Sequence, residues 1–135
     1  MTSHVVYEGD LRTTCIHLRS TSSFETDAPT DNHGKGERFS PTDLMATSLA
    51  TCMLTVMGIK ARSMELDLKG IEVDVEKIMK AEPRRIGNIN LTFQIPENLK
   101  EIDESKKNIL KHIAHTCPVA QSINPEIKVH IEWNW

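Results

Sequence analysis

Aromatic side chains are scarce in this chain: two Trp, one Tyr and three Phe among 135 residues. No stretch concentrates Lys and Arg with them, and the formal net charge is −3 with histidines neutral. The basic patch and stacking platform of a nucleic-acid-binding protein are therefore missing. Long apolar runs are missing as well. No window approaches the roughly 18 continuous apolar residues of a membrane span, and Met1-Thr2-Ser3-His4 has no basic segment leading into an apolar one. A cytoplasmic location is expected, with neither export nor membrane insertion. Cysteine is limited to Cys15, Cys52 and Cys117. This odd, widely spaced set excludes a disulfide scaffold and leaves inert thiols, metal ligands or redox groups. There is no internal repeat and no low-complexity segment. What remains, 39% apolar and 26% charged, is an ordinary composition for a single domain over residues 1–135, long enough to bury a core.

The most strongly patterned stretch begins at Ser40. Ser40 reads as an N-cap, Pro41 takes the first helical position, and Asp43 closes a capping box. From Leu44 to Ile59 there is no charged residue, and apolar side chains at 45, 49, 52, 53, 56 and 57 keep helical spacing. The spacing predicts a helix running to about Arg62 and buried nearly all round, with Cys52 on its third turn. A thiol in such a place is either ordinary packing or the seat of chemistry.

Around this helix the chain reads as short strands. His4–Glu8 and Leu11–Leu18 form a hairpin across Gly9-Asp10, with Cys15 on the opposite face from Thr14, Ile16 and Leu18. A third short strand holds Phe24, and Asp27 to Arg38 is a loop. Ile71–Glu76 and Asn88–Ile95 alternate strictly and predict a second hairpin joined through Pro83–Gly87. A helix from about Ile102 to Thr116 follows, with Ile102, Ile109, Leu110, Ile113 and Ala114 inward and Lys106, Lys107 and Lys111 outward. Its spacing continues onto Cys117, immediately before the helix-breaking Pro118. Ile127–Trp133 is a last strand. The fold class expected is α+β, with antiparallel sheets packed around a long central helix.

Cys52 on a rigid helix and Cys117 at a hinge form the pair a two-cysteine peroxidase needs: one thiolate attacks a peroxide and the other resolves the sulfenic acid to a disulfide. A thiol among apolar neighbours holds its proton tightly, so a working Cys52 needs a cation, and Arg12, Arg38, Arg84 and Arg85 are candidates. Asp43 could hold such an arginine or could simply close its capping box. Nine residues of helix rise roughly 13 Å, so Asp43 would have to act on the cysteine of a second chain. His112, His115 and Cys117 are close enough in sequence to raise a zinc site, but no Cys-x-x-Cys pair anchors one, and no metal is expected. Cys15, His17 and His130 carry no chemistry in this reading.

Pro41-Thr42-Asp43-Leu44-Met45-Ala46-Thr47-Ser48-Leu49-Ala50-Thr51-Cys52, then Pro83-Arg84 leading to Ile89-Asn90-Leu91, then Cys117-Pro118-Val119-Ala120-Gln121-Ser122-Ile123, resembles the OsmC/Ohr family of osmotically inducible and organic hydroperoxide resistance proteins. The opening Tyr7-Glu8-Gly9-Asp10-Leu11-Arg12 is similar to the family's first hairpin. The resemblance implies an intertwined homodimer with active sites at its interface, Cys52 as the peroxidatic and Cys117 as the resolving cysteine. It also implies organic or fatty-acid hydroperoxides as substrates, a dithiol such as a lipoylated protein as reductant, and no metal or flavin. Arg12 matches the family's N-terminal arginine. Peroxidase members carry a glutamate ten residues before the reactive cysteine, where this chain has Thr42. Asp43, nine residues before it, resembles a YhfA-like branch. The alternative is a non-catalytic redox-responsive or small-molecule-binding protein of the same fold.

Overall fold

The computed structural model describes residues 1–135 and has the expected α+β composition. The chain divides into two compact units, Met1–Met45 and Ala46–Trp135.

In the first unit, strands β1 (Ser3–Gly9), β2 (Arg12–His17) and β3 (Ser23–Asp27) form an antiparallel sheet in that order. Gly9 at φ 88°, Asp10 at 49° and Leu11 at 62° carry the tight turn between the first two, where a glycine relieves the left-handed strain. A short 3₁₀ turn, Thr30–Asn32, interrupts the segment after β3. The expected contrast between the two faces of β2 is absent, since Thr13, Thr14, Cys15 and Ile16 are all half-buried. The reason is that no apolar side chain of this unit is buried within it. Only Thr26, Asp27 and Ser40 are buried, while Val5, Tyr7, Phe24 and Phe39 are more than half exposed.

The long helix α1 (Pro41–Ser63) starts in this unit and continues into the second. Its start is the predicted capping box: the Asp43 N–H donates to Ser40 Oγ at 3.1 Å and the Ser40 N–H to Asp43 Oδ2 at 2.8 Å. The expectation of burial all round is corrected. Ala46, Leu49, Ala50, Met53, Met57 and Ala61 are buried, whereas Met45, Thr51, Thr55 and Ile59 are exposed. Residues 44–59 lack charge without being enclosed, and Met45 and Ile59 as well as Thr51 and Thr55 lie on the open side. By length and composition alone α1 could cross a membrane. Six of its residues lie in the core of the second unit, which explains an apolar composition without a bilayer.

The rest of that core comes from the second sheet. Strands β4 (Glu72–Lys80) and β5 (Arg85–Gln94) form the predicted antiparallel hairpin, with Ile86, Ile89, Leu91 and Phe93 of β5 buried. After a single helical turn, α2 (Glu97–Lys100), comes α3 (Glu104–Ala114), two residues shorter at each end than expected. Leu110 and Ala114 are its buried residues, and Ile109, expected inward, is 42% exposed. The inward stripe runs Leu110, Ala114, Cys117, a spacing of four then three, and this turns Ile109 to the flank. The lysines are only partly outward. Lys107, paired with Glu104 at 3.7 Å, has a side chain only 16% exposed, and Lys111 Nζ sits 5.8 Å from the Trp135 ring centroid. A further short helix, α4 (Pro118–Ser122), precedes β6 (Lys128–Asn134), which pairs parallel to β5 to give the order β4-β5-β6.

Candidate active site

Two of the expected residues come together in the second unit. Cys52 is half-buried on α1, and Cys117 is fully buried between α3 and α4; neither is in a disulfide. Both belong to the same apolar cluster, and Cys52 is near enough to push the Cys117 thiol upward.

The position of Cys117 follows from its neighbours. Pro118 ends α3 and fits the first position of α4, so Cys117 becomes the N-cap of α4 in extended conformation. Its Sγ accepts the Ala120 N–H at 3.3 Å. Burial pushes the Cys117 thiol above its ordinary value, the Ala120 N–H pulls it back, and Cys52 raises it further. Cys117 is thus held as a thiol while Cys52 is the more accessible sulfur. Leu49 and Val56, three residues before and four after Cys52 along the helix, flank it with apolar surface.

The other two expected residues belong to the first unit. Arg12 opens β2 and stands directly across from Asp27, the last residue of β3. Its Nε donates to Asp27 Oδ1 at 2.7 Å and its Nη2 to Asp27 Oδ2 at 2.9 Å; Nη2 also donates to Glu37 Oε2 at 2.9 Å. The Glu37 N–H completes the carboxylate's set at 3.1 Å. Neither Asp27 nor Glu37 is among the candidate site residues that the sequence offers. Asp27 fell at the start of an expected loop, and only the register of β2 against β3 reveals that it faces Arg12. Asp43 closes the capping box.

Among the other candidate cations, Arg38 pairs with Glu25 at 3.0 Å, and Arg85 donates to the carbonyls of Ala81 and Pro83 within its own turn. No group of three or more His, Cys, Asp or Glu side chains comes together with metal-site spacing, so His112 and His115 do not join Cys117 in one.

The Arg12 pair has a consequence for pH. Arg12's hydrogen bonds hold the Asp27 carboxyl below its ordinary value despite burial, and Asp27 and then Glu37 hold the guanidinium above its own. The folded protein therefore binds the Asp27 proton less readily than the unfolded chain does. The contribution to stability is complete above the ordinary carboxylate pKa of about 3.9 and is lost as pH falls below it. Thermal unfolding followed by circular dichroism should show melting falling below about pH 4, and less steeply in Asp27→Asn.

Comparison with known proteins agrees with this architecture. The sequence model of the OsmC-like protein family matches residues 34–132. A crystal structure from Psychrobacter arcticus 273-4, described as an osmotic stress induced and detoxification response protein, is 50% identical and superimposes with a TM-score of 0.93, over 99% of this chain and 96% of that one. Two more distant structures share the fold. The organic hydroperoxide resistance protein OsmC from Legionella pneumophila is 17% identical with a TM-score of 0.76, over 100% of this chain and 98% of that one. The organic hydroperoxide resistance protein OhrB of Bacillus subtilis is 18% identical with a TM-score of 0.67, over 99% and 98%. No curated protein matches the chain. With most of its length matched by the family and half of its residues shared with the Psychrobacter structure, the chain is a member of the OsmC/Ohr family.

Proposed function

We propose that this protein is a stress-response thiol peroxidase that reduces organic hydroperoxides. The observation that carries the proposal is the Cys52–Cys117 arrangement: a half-buried thiol and a fully buried one in the same apolar cluster, the second on an N-cap beside a helix break. In the first step Cys52 Sγ, as thiolate, attacks the outer oxygen of ROOH. The O–O bond breaks, and the alkoxide leaves and is protonated to ROH. In the second, Cys117 attacks the resulting sulfenic acid, the S–S bond forms, and water departs. A dithiol, such as a lipoylated protein, then reduces the disulfide by exchange. The uncharged, apolar surroundings of Cys52, with Val56 one turn on and only partly buried, suit an organic R group better than a small polar oxidant.

The cation that stabilises the thiolate is Arg12, brought to Cys52 in a homodimer, with Asp43 contributing from the second chain. The exposed apolar residues of the first sheet and the open side of α1 support such an assembly. A three-stranded sheet that buries no apolar face is not stable alone, and a second copy of the same chain would cover it.

Titration of the reduced protein with cumene hydroperoxide, following free thiols and intact mass together, tests the reading. Loss of two thiols per chain with formation of a Cys52–Cys117 disulfide is expected. No thiol loss at stoichiometric peroxide would refute catalysis and leave the non-catalytic redox-responsive or ligand-binding role.

A further inference from the structure

We propose that Asp27 is the positioning residue for Arg12, fixing its guanidinium in the one orientation that serves the reactive thiolate. The inference rests on the reading of Arg12 as the cation opposite Cys52.

Asp27 is 1% exposed, in a unit that buries no apolar side chain at all. Burying a carboxylate there cannot be a by-product of core formation. A buried ion pair is also a poor source of stability, because the cost of removing two charges from water offsets most of their attraction. Geometry is what the pair supplies. Arg12 Nε and Nη2 meet the two carboxylate oxygens in a side-on fork at 2.7 and 2.9 Å, and such a bidentate contact fixes the guanidinium plane in a way a single bond does not. The carboxylate is itself held by the Glu37 N–H, and the Asp27 N–H donates to the Phe39 carbonyl at 3.2 Å, tying the strand end to the returning loop. Glu37, whose side chain is 60% exposed, makes a single further contact on Nη2. Neither carboxylate engages Nη1, whose two N–H groups stay available for a sulfur or peroxide oxygen. Thr42, with a hydroxyl and no carboxylate, cannot provide such a fork.

The test compares Arg12→Gln, Asp27→Asn and Asp27→Glu in a Cys15→Ser, Cys117→Ser background, leaving Cys52 as the only thiol. The readouts are the rate and pH profile of Cys52 alkylation by iodoacetamide, with circular dichroism as the folding check. Arg12→Gln is expected to slow alkylation at pH 7 about tenfold or more. Asp27→Asn is expected to do nearly the same and to move the profile to higher pH. If Asp27 acted only through its negative charge, its removal would leave Arg12 unneutralised and move the profile to lower pH, so the direction separates positioning from simple charge.

Asp27→Glu keeps the charge but displaces the fork by one methylene. It is expected to lose several-fold in rate, and it keeps the question answerable if Asp27→Asn does not fold. In an Arg12→Gln background, Asp27→Asn should add no further loss. Slowing by Arg12→Gln with parental rates in both Asp27 variants would overturn this inference alone. A parental rate in Arg12→Gln would overturn the Arg12 reading and the inference with it.

Discussion

Cys52→Ser is expected to reduce cumene hydroperoxide consumption to the uncatalysed background, whereas Cys117→Ser should leave one turnover per chain and then drive Cys52 to the sulfinic state. The first expectation follows from the chemistry of the attacking atom. A serine hydroxyl is not ionised at neutral pH and has no adjacent base here, so it cannot displace an alkoxide from a peroxide. The fold should survive, because Cys52 is only half-buried and the substitution removes little volume. The second expectation depends on the role of Cys117 as N-cap. Serine is among the best N-cap residues, and its hydroxyl can accept the Ala120 N–H in place of Sγ. Cys117→Ser should therefore fold as well as the parent and differ only in being unable to resolve the sulfenic acid.

Intact mass after a single equivalent of peroxide should show one added oxygen in Cys117→Ser and a disulfide in the parent; excess peroxide should add a second oxygen to the variant. Parental turnover in Cys52→Ser would remove the peroxidatic assignment. Undiminished steady-state turnover in Cys117→Ser with a dithiol present would show that an outside thiol resolves Cys52 and that Cys117 is structural.

These two cysteines were legible in the sequence because their placement is set by local rules. Ser40, Pro41 and Asp43 announce the start of α1 within four residues, and counting forward puts Cys52 three turns along it. Cys117 is marked by the proline that follows it. The alternation of residues 71–76 and 88–95 likewise predicts its hairpin, since one buried face demands a period of two. What the sequence withheld was non-local. The parallel pairing of β6 with β5 joins segments about forty residues apart with three helices between them. The Arg12–Asp27 pair depends on the register of two strands whose faces are equally wet, so no hydrophobic pattern specifies it. Ile109 and Leu110 are adjacent and equally apolar, and only the docked orientation of α3 decides which is buried. The burial of α1 was over-read for a related reason: lack of charge does not decide which faces are covered, and Met45 and Ile59 lie open beside Thr51 and Thr55.

Phe93→Ala is expected to destabilise the protein by about 3–5 kcal/mol, the usual cost of emptying a phenylalanine site in a packed core. Phe93 is fully buried on β5, the central strand, and so has a neighbour on each side: Val73 of β4 and Trp133 of β6. Its ring stacks on Trp133 with centroids 4.1 Å apart and planes 30° from parallel, and Trp133 in turn lies 6.3 Å from Trp135. The Trp135 indole N–H donates to the Leu99 carbonyl at 3.0 Å, so the aromatic row ties the chain end to α2. Removing Phe93 would leave a cavity in the middle of this row and forfeit a stacking contact worth roughly 0.5–1.5 kcal/mol beyond area alone. Melting should fall by roughly 10–20 °C for a chain of this size. Ile109→Ala deletes a side chain of similar character from the flank of α3, where it is 42% exposed, and should cost within about 1 kcal/mol. The ratio of the two losses, measured by denaturant unfolding, reports whether the core is centred on β5. Comparable losses would mean that Ile109 is buried in the working protein, placing a partner surface on α3, while a loss under about 1 kcal/mol for Phe93→Ala would contradict the packing of β5 between β4 and β6.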